Sequence, residues 1–400
     1  MAILCGLLTI VRARWLATSI SRQLSTSSIL FVDVDNLSLN RLYVVQSGRV
    51  RSGSDPAETA ERKGDMVSIR DVAAHVGVSD KTVSRVANNE PNVSARTKAL
   101  VEAAIATLGY VPNMGARLVR TNRSGVIGLI SDVVSTTPNS VDIIRGIQDR
   151  VSTAKQSLLI ANTAGAPDAE QRIWRTFQEH RIDGVLFATM YHRRVTFASR
   201  PTIPTVLVNC TAADEPGMPS VVPDDYEGGY VAALRALDQG HRKIGFVTLN
   251  PKIIAAELRG KAFIDAMASR GVEVRPEWVR AGYLGGIGEE QLCAYDVARD
   301  MLQAADRPTV LLTGNDQVAM QCLFAAHSLG MRVPDDLAII GFDDFQMISA
   351  QVIPPLTTVA LPYYDIGVRA ADRLLAILAG DVSEGGVECL PCPIVIRASG

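Results

Sequence analysis

Lys81, Thr82, Ser84 and Arg85 carry hydrogen-bond donors within a single short stretch, interleaved with Val83, Val86 and Ala87. That interleaving puts the apolar residues on one face of a helix and the donors on the other. A free helix face bearing long polar donors is suited to the major groove of duplex nucleic acid. Other chemistry is harder to find. Cys389 and Cys392 form a CxxC, but they fall on an expected strand rather than at a helix N-terminus that would stabilise a thiolate, and no second pair exists for zinc. Gly285, Gly286 and Gly288 do not make a GxGxxG, and no GxxxxGK[ST] occurs. His192, in Met190-Tyr-His-Arg193, is a lone histidine read as a loop residue, and no Ser/His/Asp set is spaced for catalysis. No catalytic residue, metal or cofactor is expected, and the chain is not read as an enzyme.

The donor-bearing helix needs elements to hold it. Ser68 precedes Ile69, Val72, Ala73 and Val76, with Asp71 three residues on, which predicts a capped amphipathic helix. Gly77-Val78-Ser79 then supplies a left-handed turn, an apolar plug between two helices and a cap for the second. Ser94 caps a third helix that buries Val101, Ala104, Ile105 and Leu108, and Gly109 stops it. A plain bundle with solvated charges would not require this order of caps, turn glycine and valines. The charge agrees. Residues 66–125 carry eight basic and four acidic residues, whereas the chain as a whole is at −2 and residues 126–400 are strongly acidic.

The run SIRDVAAHVGVSDKTVSRVANNEPNVSARTKALVEAAIATLGYVPNMGAR closely resembles, without a gap, the DNA-binding headpiece of the LacI/GalR family of bacterial repressors. The resemblance implies that Lys81 and Arg85 read base edges. Arg85 can span guanine O6 and N7, worth about 1–3 kcal/mol of discrimination. Asp80 either accepts from cytosine N4 or serves only as a cap or exposed charge. Ser79, Thr82, Ser84, Asn88, Asn92 and Asn113 would hold phosphates and register. Residues 112–125 align with the family's hinge helix, which orders on the operator and wedges apolar side chains into the minor groove. Here the wedge is Val119 or Leu118, and Gly115 weakens the helix.

At 400 residues the chain exceeds one core, and 47% hydrophobic with 20% charged excludes both disorder and a polytopic membrane protein. Residues 1–65 read as an extension, disordered or lying upstream of the true start at Met66. After residue 125, apolar strands at Val126–Ile130, Leu158–Ala161, Gly184–Ala188, Thr205–Val208, Lys243–Leu249, Thr309–Thr313 and Leu337–Phe342 alternate with helices at 142–155, 168–180, 226–239, 257–270, 289–304 and 316–329. Alternation of this kind predicts parallel sheets covered by helices on both faces, in two lobes with a ligand between them. GHRKIGF, ELRGKAF, GNDQVAM, VPDDLAIIGFDD, PPLTTV and VIRAS resemble the effector-binding core of the same family, similar to periplasmic sugar-binding proteins.

The expected architecture is therefore an all-α helix-turn-helix headpiece (66–111), a hinge (112–125) and an α/β two-lobe core (126–400) that binds effector and dimerises. The resemblance implies that Asn209, Arg259, Asn315 and Asp343 line the cleft, with Arg259 as a bidentate donor to the guest and Asp316 as ligand or helix cap. Such a set suits a carbohydrate or related polyol. The expected partners are a pseudo-palindromic duplex operator, that small effector and a second copy of the chain, with no membrane. A cytoplasmic dimeric repressor follows, since no extra C-terminal heptad helix is present. The rivals are a solute-binding protein without a DNA role, which leaves the basic headpiece unexplained, and a sugar-modifying enzyme, which lacks a base and a phosphate loop.

Overall fold

The computed structural model describes residues 30–32, 67–87, 90–110, 123–132, 138–197, 200–286, 289–381 and 385–400. Asn88, Asn113, Leu118 and Val119 lie outside the described residues, as do most of 1–65 and 112–122. The chain divides into two units: Gln46–Ser124, and Gly125–Gly400 together with Met1–Val45.

The smaller unit holds three helices: α1 (Ile69–Val76), α2 (Asp80–Ala87) and α3 (Ala95–Leu108). The amide and hydroxyl of Ser68 both donate to the Asp71 carboxylate at 2.7 Å, fixing the start of α1. Gly77 ends it at φ 74, a left-handed conformation in which a side chain would be strained. Val72, Ala73, Val83, Val86, Val101 and Ala104 bury themselves as the common core.

The strands of the larger unit, with the short Leu30–Val32 counted first, are β1 (Leu30–Val32), β2 (Val126–Ser131), β3 (Ser157–Asn162), β4 (Gly184–Val195), β5 (Thr205–Ala212), β6 (Ser220–Pro223), β7 (Ile244–Thr248) and β8 (Val279–Ala281). They continue with β9 (Tyr283–Leu284), β10 (Gln291–Leu292), β11 (Val310–Thr313), β12 (Ala338–Asp343), β13 (Thr357–Ala360), β14 (Val387–Leu390) and β15 (Ile394–Val395). The helices are α4 (Pro138–Thr153), α5 (Pro167–Glu179), α6 (Asp225–Asp238), α7 (Ile254–Ser269), α8 (Ala294–Gln303), α9 (Asp316–Ser328), α10 (Gln346–Ser349) and α11 (Tyr363–Ala379).

Two sheets result. The first lobe has the order β1-β3-β2-β4-β5-β6-β14, and the second β15-β13-β12-β11-β7-β8. Within these two sheets all pairs are parallel except β13 with β15, and β9 and β10 pair antiparallel as a third, two-stranded sheet. Alternate residues of a strand face opposite layers. Thus Leu129, Leu186 and Val206 cluster with Ile143, Ile147 and Ile366 of α4 and α11. On the other face Ile130, Phe187 and Leu207 cluster with Ile173 and Phe177 of α5. The chain passes from one lobe to the other between β6 and α6, between β13 and α11, and between β14 and β15.

Among the elements that depart from the sequence reading, three bear on the cleft. The strand expected to end at Ala188 runs to Val195, past an irregular step in its pairing with β5. Side chains replace the lost ladder bonds there: the Thr189 hydroxyl donates to the Asn209 carbonyl at 3.0 Å, and the Met190 amide donates to Asp132 at 3.1 Å. The helix expected from 289 starts only at Ala294, because Gln291 and Leu292 pair with Leu284 and Tyr283 as a hairpin. Finally, α11 was not anticipated; it buries Ile366, Ala370 and Leu374 against the first lobe. Among the described residues no helix is long and apolar enough to cross a membrane.

Candidate functional site

The two lobes face each other across a narrow cleft whose cavity measures about 40 Å³. Asn209, Arg259, Asn315 and Asp343, brought to attention separately in the sequence, all line it, together with Tyr191, His192 and Tyr363. Three of the four sit where an element ends or bends, and Arg259 lies within a helix. Asn209 lies in β5 opposite the irregular step of β4, Asn315 follows β11, and Asp343 is the last residue of β12. Arg259 projects from α7.

Asp343 and Asn209 have left-handed backbones, at φ 115 and 58, a cost that recurs where a fold must aim a side chain. The Asn209 Nδ2 donates to the Thr189 carbonyl at 3.0 Å, while its buried Oδ1 has no hydrogen-bond partner among the described residues. Burial pushes the Asp343 carboxyl well above the usual carboxylate range, against the pull of Arg259. Asn315 is largely occupied: its Oδ1 accepts from the Val318 amide at 2.8 Å, capping α9, and its Nδ2 donates to the Tyr283 hydroxyl at 3.2 Å.

Arg259 is not the open fork that the sequence suggests. Its Nε and Nη2 lie 2.7 and 2.6 Å from Asp225 Oδ1, and its Nη1 donates to the Gly314 carbonyl at 2.5 Å. The guanidinium also stacks 3.5 Å from the centroid of the Phe342 ring. The other oxygen of Asp225 lies 2.6 Å from His192 Nδ1. Burial alone would raise the Asp225 carboxyl, but Arg259 and His192 together hold it below the ordinary value. Neither Asp225 nor the role of His192 was legible, because a buried partner across a lobe boundary leaves no spacing signal.

Asp316 does not cap α9; Asn315 does. The Asp316 carboxylate is buried instead, accepting from the Phe345 amide and the Thr358 hydroxyl at 2.7 Å each, and burial raises it to about 7. Gly341 makes room for it, since a Cβ there would stand 2.3 Å from Asp316 Oδ1.

In the three-helix unit, Ser79, Asp80 and Lys81 are exposed at the start of α2, and Thr82, Ser84 and Arg85 are partly exposed. The Ser79 oxygen accepts from the Thr82 amide at 3.2 Å, so Ser79 caps α2. Asp80 instead lies 3.7 Å from Arg70, both exposed. Asn92 is exposed in a turn at φ 77.

Residues 68–113 match the profile of bacterial regulatory proteins of the lacI family, and residues 234–400 that of the periplasmic binding protein-like domain. A sucrose operon repressor of Escherichia coli is 34% identical over 343 residues, covering 84% of this chain and 100% of its own. The chain belongs to the LacI family. A solved LacI-family transcriptional regulator from Rhizobium etli superposes with a TM-score of 0.65 at 43% identity, covering 69% of this chain and 99% of its own. The lac repressor dimer bound to operator and an anti-inducer gives a TM-score of 0.70 at 25% identity, covering 84% of this chain and 99% of its own. LacI-family membership fixes the headpiece as a DNA-binding domain and the larger unit as its two-lobe companion.

Proposed function

We propose that this LacI-family chain is a repressor that grips a pseudo-palindromic operator as a dimer and is governed by a small carbohydrate or polyol held between its lobes. Lys81 and Arg85 are the base-reading residues of this proposal, with Ser79, Thr82, Ser84 and Asn92 on phosphates. Asn88, Asn113 and the Leu118/Val119 wedge complete it. Exposed apolar side chains on the second lobe, Phe324, Met347 and Ile353, offer surface to a second copy.

One observation carries the effector reading. Asp343 from the second lobe and the unpartnered Oδ1 of Asn209 from the first line the same cleft. A guest rich in hydroxyl donors satisfies both at once and so draws the lobes together. Turnover forms no part of this reading, since the sucrose operon repressor and the lac repressor that the chain resembles are regulators. The protein acts in the cytoplasm, where its operator is. A thermal-shift screen of neutral sugars and polyols tests the reading. At least one should raise the unfolding midpoint of the wild type and not of Asp343→Ala. Binding only of flat heterocycles such as nucleobases would overturn it.

A further inference from the structure

Beside the cleft lies a second, open cavity of about 170 Å³, lined by Arg193, Arg194, Pro251, Lys252, Ile253, Ile254 and Glu257. It adjoins the first: Ile253 lines both, and Arg193 and Arg194 directly follow Tyr191 and His192 along β4. The two differ in charge. The inner cleft has Arg259 neutralised by Asp225 and a buried acid, Asp343, so it offers no spare cation. The outer cavity gathers three cations from both lobes against one lining carboxylate.

Those cations are not used up. Arg193 donates from Nη2 to Asp132 at 2.9 Å, yet its Nε is buried with no hydrogen-bond partner among the described residues. Arg194 faces Glu257 at 3.5 Å with both side chains more than half exposed, a weak pair. Lys252 forms no ion pair among the described residues. The start of α7, which no side chain caps, also reaches this wall through Ile253 and Ile254. A helix start flanked by Arg193, Arg194 and Lys252 makes a receptor for an oxyanion.

We propose that this outer cavity is an anion subsite, and that the effector carries a phosphate or carboxylate on a hydroxyl-rich body, the body in the inner cleft and the anion between Arg194 and Lys252. An anion there, between Arg194 of the first lobe and Lys252 of the second, bridges the lobes. The class of effector rests on the reading of the cleft given above, but the subsite can be probed without any sugar.

The experiment is a titration of the full-length protein with inorganic phosphate, and separately with acetate, at constant ionic strength, following the unfolding midpoint. Phosphate should raise it saturably. Lys252→Ala and Arg194→Ala should each weaken that response by roughly tenfold or more. Glu257→Gln, which frees Arg194, should strengthen it. A response to acetate as well marks a carboxylate effector, and to phosphate alone a phosphate ester. If all four proteins respond identically, the anion is held elsewhere, such as on the headpiece, and the proposal fails. It fails also if none responds. Neutral polyols titrated into the same variants report the inner cleft separately, so a failed anion site and a failed effector reading give different results.

Discussion

His192 Nδ1 and Asp225 Oδ2 lie 2.6 Å apart, joining a strand of the first lobe to a helix of the second. Asp225 is fully buried and also holds Arg259 of its own lobe, so one carboxylate ties His192 across the cleft and a guanidinium beside it. Removing it strands a buried guanidinium. Asp225→Ala should cost about 3–5 kcal/mol in urea unfolding, and His192→Ala clearly less, because it removes no formal partner of Arg259. The folded carboxyl is held below its unfolded value, so its contribution is present above the ordinary carboxylate pKa and lost as pH falls through the lowered one. A stability difference between wild type and Asp225→Ala that is small and flat with pH would contradict this.

Asp316 behaves in the opposite sense. Burial raises it from 3.8 to about 7, so between those values the folded protein keeps a proton that the unfolded chain has lost. Stability therefore declines as pH rises through that window. Asn at this position mimics the protonated acid, accepting from Phe345 and donating to Thr358. Wild-type stability relative to Asp316→Asn should fall between pH 4 and pH 8. A constant difference would place the carboxyl outside this range.

On α2, Arg85→Ala should lower selectivity for operator over random DNA by about 1–3 kcal/mol while leaving weak, salt-dependent binding largely intact. Competition gel shifts measure the ratio directly. Unchanged selectivity would remove Arg85 from the base-reading set.

Where α4 crosses α11, a Cβ on Gly367 would stand 2.3 Å from the Ile143 carbonyl, and one on Gly146 2.2 Å from the Tyr364 carbonyl. Backbone cannot yield as a flexible side chain does. Gly367→Ala should destabilise the protein by about 1–3 kcal/mol in denaturant unfolding. An unaffected midpoint would mean that the helices part easily.

The headpiece was legible because its signals are local. Ser68, Gly77 and Ser94 act within one turn of where they stand, and the valines that form its core recur at helical spacing. Most core strands were legible for a related reason, since strands buried on both faces are continuous apolar runs. What escaped depends on distant partners. The extension of β4 through His192 and Arg193 rests on Asp132, some sixty positions away in the chain. Asp225 carries no local signal, and only the packing of α6 on α7 shows that it neutralises Arg259. Asp316 reads as ligand or cap, but Asn315 takes the cap while Phe345 and Thr358 hold Asp316 buried.

The central claim is that a guest touching Asp343 sets the grip of the headpiece on DNA. Its most direct test is fluorescence anisotropy of an operator selected from a random pool, titrated with full-length protein with and without a compound found to bind, for wild type and Asp343→Ala. The account predicts that the compound shifts wild-type operator affinity by about tenfold or more, and that Asp343→Ala binds operator normally but does not respond. Wild-type operator binding indifferent to every bound compound, or an Asp343→Ala response equal to wild type, would contradict it.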